Sequence, residues 1–229
     1  MRWTDRLAQL CVCAGVVMLP VAANAATEDD PWEGVNRVIF KFNEKLDTYA
    51  LKPLAQGYQF ITPQFLEDGI HNMYRNIGDV RNLANDVLQA KPHSAGVDTA
   101  RLLMNTTLGV AGFFDVGTKM GLQRNSEDFG QTLGYWGVPS GPYVMLPLLG
   151  PSTVRDAVAL YPDGFTEPYP YMHDIPARNM AIGMDIIDTR ASLLSAEKLV
   201  TGDKYVFIRN AYLQHREFKV KDGQVEDDF

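Results

Sequence analysis

Residues 129–154 run for 26 positions without a charged side chain, and that stretch holds five glycines (130, 134, 137, 141, 150) and four prolines (139, 142, 147, 151). No continuous helix survives that density, because proline removes a backbone donor and glycine weakens helical propensity. Yet Leu133, Tyr135, Trp136, Val138, Tyr143, Val144, Met145, Leu146, Leu148 and Leu149 make the stretch strongly apolar. Irregular backbone of this kind at membrane depth is tolerated only where protein buries it or where it lines a cavity. The other reading is a tight loop packed on a soluble core, and the sequence leaves both open.

The rest of the chain predicts amphipathic helices. Val35, Val38, Ile39, Phe42, Leu46 and Tyr49 recur at helical spacing. Ile70, Met73, Tyr74, Ile77, Val80, Leu83, Ala84, Val87 and Leu88 form an apolar stripe over five turns, which Pro92 closes. Val97, Ala100, Leu103, Met104 and Leu108 predict a helix opening near Ser94 or Ala95. Met180, Met184, Ile187, Ala191 and Leu194 predict another, and Tyr205, Ile208 and Tyr212 a last one ending by Lys219. Strand alternation is scarce. No apolar run reaches the roughly 20 residues of a spanning helix.

Residues 1–25 read as a cleavable signal peptide. Arg2 and Arg6 precede an uncharged apolar core, and Ala23-Asn24-Ala25 offers a small-x-small cleavage site. The only cysteines, Cys11 and Cys13, fall inside it, so an exported chain from residue 26 has no thiol for a disulfide, a metal or a nucleophile. Leu10 and Val12 precede those cysteines where a lipobox wants a small residue, so no lipid anchor is expected. Residues 26–222 read as one helical domain and residues 223–229 as an acidic, frayed tail. The 21 Lys+Arg against 28 Asp+Glu, net −7, argue against nucleic acid as a partner.

Catalytic patterns are missing. His71, His93, His173 and His215 are scattered without ligand spacing, so no metal is expected, and no cofactor motif occurs. There is no nucleophile elbow and no phosphate-binding loop. Glu67-Asp68 and Glu127-Asp128 read as solvated helix ends rather than carboxylate pairs. Gly130/Gly134 and Gly137/Gly141 fit a small-xxx-small pattern only weakly in so glycine-rich a stretch. Arg209, Arg216, Lys219 and Lys221 are read as helix-dipole complementation or, alternatively, as contacts to anionic headgroups.

Four ordered segments carry a resemblance. Residues 30–37 (DPWEGVNR), 104–117 (MNTTLGVAGFFDVG), 129–156 (FGQTLGYWGVPSGPYVMLPLLGPSTVRD) and 209–218 (RNAYLQHREF) resemble the signatures of the MlaA (VacJ) family. The resemblance implies an all-α, ring-like bundle of amphipathic helices in the inner leaflet of the outer membrane, around an amphipathic channel. It implies removal of mislocalised phospholipid from the outer leaflet, association with a trimeric porin, and transfer to an MlaC-like periplasmic carrier, with no covalent chemistry. Many family members are lipoproteins, and the missing lipobox departs from that pattern. Within this frame the lipid path or its gating loop is expected at Tyr135, Gly137, Ser140, Gly141, Pro142, Tyr143, Val144, Met145, Leu146 and Leu148. Leu108, Gly109, Gly112 and Phe113 extend it, because their small residues permit close helix contact. A soluble periplasmic lipid shuttle, a phospholipase and a structural tether are the rival readings.

Overall fold

The computed structural model describes residues 30–224, so the expected signal peptide and most of the acidic tail lie outside the described residues. Helices α1 (Glu33–Leu46) and α2 (Lys52–Ile61) are joined without a break by a π-helical turn, Asp47–Leu51. Helix α3 (Gln64–Leu88) packs antiparallel on α4 (Pro92–Thr107), and this is the most extensive helix pair. Pro92 opens α4 rather than merely closing α3: its missing N–H is an orphan donor at a first helical position, so the helix begins two residues before Ser94. A short helix α5 (Val116–Lys119) and helix α6 (Phe129–Tyr135) follow. Helices α7 (Val154–Asp163), α8 (Ile175–Ser192) and α9 (Lys204–Val220) complete the bundle. Asp115, Asp128, Thr153, Asp174 and Asp203 each cap the helix that follows them by accepting from a first-turn N–H.

The fold is helical, as expected, with one addition. Strands β1 (Tyr143–Leu146) and β2 (Gly150–Thr153) form an antiparallel hairpin, pairing Tyr143 with Thr153 and Leu146 with Gly150. Each strand has only four residues and proline interrupts the run, so alternation has too little length to show in the sequence. Among the described residues no helix is long and apolar enough to cross a membrane.

The bundle is built inside out. Among the described residues seven apolar side chains are buried, against twenty polar or charged ones. On α3 the interior face is Asn76, Asp79, Asn82, Asn85 and Asp86, with Gln89 just beyond. The apolar stripe predicted on the same helix turns partly outward: Met73, Val80, Val87 and Leu88 are exposed. Exposed large apolar residues continue over the rest of the molecule, up to Phe60 at 90 % and Tyr49 at 81 %. Scattered exposed apolar residues are normal, but a surface dominated by them, over a core dominated by carboxylates and amides, reverses the usual partition.

Candidate functional site

The charge-free stretch is held to α1 by two asparagines, two helical turns apart on one face. Asn36 Nδ2 donates to the Tyr143 carbonyl (3.1 Å) and its Oδ1 accepts from Met145 N–H (2.9 Å). Asn43 Nδ2 donates to the Leu146 carbonyl (2.9 Å) and its Oδ1 accepts from Leu148 N–H (2.9 Å). Each amide thus pairs with the hairpin as a neighbouring strand would, satisfying backbone groups that an unpaired edge leaves open.

Beneath the hairpin lies an ionic floor assembled from the far ends of the chain. Asp30, fully buried, accepts from Asn36 Nδ2 (2.8 Å), Tyr205 OH (2.5 Å) and Arg209 Nη1 (3.1 Å). Tyr143, also fully buried, stacks edge-on against Tyr205 and Tyr212, with centroids 6.2 and 6.3 Å apart. Its hydroxyl has no hydrogen-bond partner among the described residues, and burial raises its pKa, followed by the negative charge of Asp30. One layer on, Arg216 binds Asp128 through both Nη atoms (2.5 Å each) and Asp156 through Nε (2.8 Å), while Tyr212 OH donates to Asp156 (2.8 Å). Burial opposes ionisation of Asp128, but the Arg216 guanidinium outweighs it and holds the carboxyl at about 2. Gly130 and Gly134 make this approach possible: a Cβ at Gly130 would lie 2.3 Å from Arg216 Nη2, and one at Gly134 2.7 Å from Arg155 Nη1. The small-xxx-small spacing at 130/134 therefore seats arginines, whereas Gly137 and Gly141 lie outside any helix.

Two expectations are corrected here. Arg209 and Arg216 neither complement a helix end nor face lipid headgroups; they are internal partners of Asp30, Asp128 and Asp156. Glu127 and Asp128 do stand at a helix end, Asp128 as the cap of α6, but the end is not solvated. Glu127 is buried and accepts from Gln89 (2.9 Å) and Asn125 (3.2 Å), and Asp128 is held by Arg216. Around the second motif the interior is likewise polar: Arg101, three residues ahead of it and 2 % exposed, binds Thr118, the Leu122 carbonyl (2.6 Å) and both oxygens of the motif's Asp115.

The expected path residues fall into two groups in different surroundings. Tyr143 and Met145 point into the bundle, Val144, Leu146 and Pro142 are half-buried, and Tyr135, Gly137, Ser140, Gly141 and Leu148 are exposed. Gly141 sits at φ +67 with its missing Cβ 3.2 Å from Val154, so any side chain there is strained. Leu108, Gly109, Gly112 and Phe113 form a turn packed on the other end of α3. A Cβ at Gly69 would lie 2.1 Å from the Phe113 ring, one at Gly112 (φ +90) 2.7 Å from Asn76 Cβ, and one at Gly109 2.2 Å from the Phe114 carbonyl oxygen. Leu108 points outward. The close approach expected from these small residues is present, but among the described residues no backbone hydrogen bond links this turn to the hairpin.

Beside the hairpin, between α1, α8 and α9, opens a cleft of about 370 Å³. Phe40, Met145, Leu193, Val200, Phe207 and Ile208 supply apolar wall, and Asn43, Glu44, Asp47, Arg190, Glu197 and Lys204 supply polar groups. Arg190 bridges Asp47 (2.6 Å) and Glu197 (2.7 Å), and Lys204 approaches Glu44 and Glu197. Apolar wall with a rim of ion pairs is the lining an amphiphile needs. Apart from Met145, none of these lining residues was expected from the sequence, because they come from three helices far apart in the chain.

A helical protein with an ionic interior, an apolar exterior and an amphipathic cleft defines a class built to meet lipid rather than bulk water. Residues 28–219 match the MlaA lipoprotein family, and the chain belongs to it. It is 35% identical over 225 residues to the intermembrane phospholipid transport system lipoprotein MlaA of Escherichia coli (strain K12), covering 93% of this chain and 88% of that one. It is 31% identical over 204 residues to the protein of the same name from Haemophilus influenzae, covering 86% of this chain and 81% of the relative. A solved structure from work on the structural basis for maintenance of bacterial outer membrane lipid asymmetry superposes with a TM-score of 0.73 at 34% identity, covering 83% of this chain and 98% of that chain. The family description and both relatives carry the word lipoprotein, so the expectation of a chain without a lipid anchor is not borne out.

Proposed function

We propose that this chain is the outer-membrane component of a phospholipid-trafficking system that keeps the outer leaflet free of mislocalised phospholipid. The reversed partition of polarity carries the reading. Exposed Phe60, Ile61, Phe65, Val110 and Leu149 would be costly in water and favourable against acyl chains, while the buried carboxylates and amides need each other inside. With no helix among the described residues long and apolar enough to cross, the amphipathic helices would lie in one leaflet, apolar side to lipid. The relatives' names, which place them in intermembrane phospholipid transport, support the same substrate.

In this reading the helices form a ring and the cleft beside the hairpin is part of the lipid path. Chains would run against Phe40, Met145, Phe207 and Ile208, and a headgroup against the Arg190 and Lys204 rim. The hairpin, tied by Asn36 and Asn43, borders that path and is placed to gate it. Lipid would pass to an MlaC-like periplasmic carrier, and a trimeric porin would border the ring. Domain limits of 26–222, and a transport rather than catalytic role, belong to the same proposal.

Two measurements test it. Membrane fractionation should leave the protein with outer membranes until detergent is added; release by osmotic shock would favour the soluble shuttle. Phe207→Glu, in the cleft wall at a position 39 % exposed, should accumulate to normal levels yet fail to restore a deletion strain's outer leaflet. Full restoration would remove the cleft from the lipid path.

A further inference from the structure

A second cleft, of about 690 Å³, surrounds the start of α4 away from the hairpin, and nothing in the lipid path uses it. Its chemistry has two poles. At one, α4 begins without a side-chain cap, and the backbone N–H groups of His93 and Ser94 have no acceptor among the described residues. Lys219 also lines the cleft, donates to the Ser126 carbonyl at 3.4 Å and makes no ion pair among the described residues. A 16-residue helix presents partial positive charge at its start, so free amides and an ammonium line the same cleft and favour an anion in it.

At the other pole stands an acceptor without a donor. Gln131 lines the cleft and is 1 % exposed; its Nε2 donates to the Ser126 carbonyl (3.1 Å), which fixes the amide's orientation and leaves Oε1 with no partner. A buried carbonyl oxygen is costly to leave without a donor. Glu127 adds a carboxylate beside it. Lys91 and Arg124 also line the cleft, but they are already paired, Lys91 with Glu127 and Asp222, and Arg124 with Asp79.

We propose that this cleft binds a phosphate ester carrying its own hydrogen-bond donor, the chemistry of a phospholipid headgroup such as phosphoethanolamine. The phosphate meets the His93 and Ser94 amides and Lys219; the donor meets Gln131 Oε1 and Glu127. A neighbouring groove favours a lipid over free phosphate. It shares Lys91 and Pro92 with the cleft and runs along Leu83, Val87 and Ala90, where an acyl chain finds apolar wall. The proposal rests on the lipid-handling reading but places a headgroup station remote from the hairpin.

The test uses the full chain in a non-ionic detergent, titrated with glycerophosphoethanolamine, with inorganic phosphate, and with phosphatidylethanolamine micelles, read by phosphorus NMR and by backbone amide shifts. Saturable binding of glycerophosphoethanolamine that moves the His93 and Ser94 amides is expected, weakened about tenfold by Lys219→Glu and retained by Lys219→Arg. Inorganic phosphate should bind about tenfold more weakly, lacking the ammonium that meets Glu127, and the micelles more tightly. Inorganic phosphate binding as well as the ester would assign the site to free phosphate and overturn the headgroup. No saturable binding, or unmoved His93 and Ser94 amides in the wild-type protein, would overturn the site whatever the variants do. A deletion strain with a phospholipid-rich outer leaflet alongside either result would sink this inference and leave the transport reading standing.

Discussion

Asp98 on α4 and Asp86 on α3 are fully buried and face each other across the main helix pair, and among the described residues neither oxygen of Asp98 accepts from a nitrogen or hydroxyl donor. Burial pushes the Asp98 carboxyl up, and the Asp86 charge pushes it further, to about 7; Asp86 is raised for the same two reasons, burial and a neighbouring carboxylate, Glu127. Two such groups share one proton more readily than they ionise together. Folded-state values above the ordinary 3.8 mean that the native protein holds protons the unfolded chain gives up. The pair's contribution is therefore complete below about pH 4 and lost as pH rises through 7. Unfolding midpoints in urea should fall between pH 5 and pH 8 by an amount on the order of 2 kcal/mol, and Asp98→Asn should flatten that slope. An unchanged slope in the variant would show that the pair does not share a proton. Arg216 works in the opposite sense. Removing it leaves Asp128 and Asp156 as buried charges without their main partner, so Arg216→Met should cost about 3–5 kcal/mol in thermal or urea unfolding.

At the scale of elements, the four longest amphipathic segments were legible because apolar spacing of three and four survives whichever way the helix turns. What the spacing does not carry is which face looks inward. On α3 the apolar positions and the Asn76, Asp79, Asn82, Asp86 positions have the same period, and only the surroundings decide which set meets its own kind. Helix α2 went unread: Pro53 and Gly57 lower its propensity, and the π-turn feeds α1 into it without a capping signal. Residues 143–148 of the charge-free stretch were read as lining, and their hairpin geometry was not, because it is set by Asn36 and Asn43, more than a hundred positions away. Asn43→Ala should free the far end of that hairpin. Leu148 N–H would lose its acceptor and exchange with solvent about tenfold faster, at about 1 kcal/mol in global stability. Unchanged exchange at Leu148 would mean that the hairpin holds itself. Gly112→Ala tests the other group: φ +90 together with a Cβ 2.7 Å from Asn76 should cost about 2 kcal/mol or more in unfolding.

At the scale of the whole molecule, the ionic floor is the part that sequence reading missed most completely. Its pairs join Asp30 to Tyr205 and Asp128 to Arg216, and a carboxylate signals no partner across such separations. The motifs at residues 30–37, 129–156 and 209–218 nevertheless supply Asp30, Asn36, Tyr143, Asp156, Arg209, Tyr212 and Arg216, so those signatures contribute to the interior scaffold. The scaffold keeps the polar groups together, and the surface that remains is apolar enough to need lipid. In the proposed reading function follows from that division: the polar centre positions the hairpin and cleft, and the apolar exterior would hold them at the membrane. The most direct measurement is the outer-leaflet phospholipid content of a deletion strain, with and without the wild-type gene restored. The account predicts a phospholipid-enriched outer leaflet that returns to normal on restoration. An unchanged leaflet, in a parent strain shown to express the protein, would contradict it.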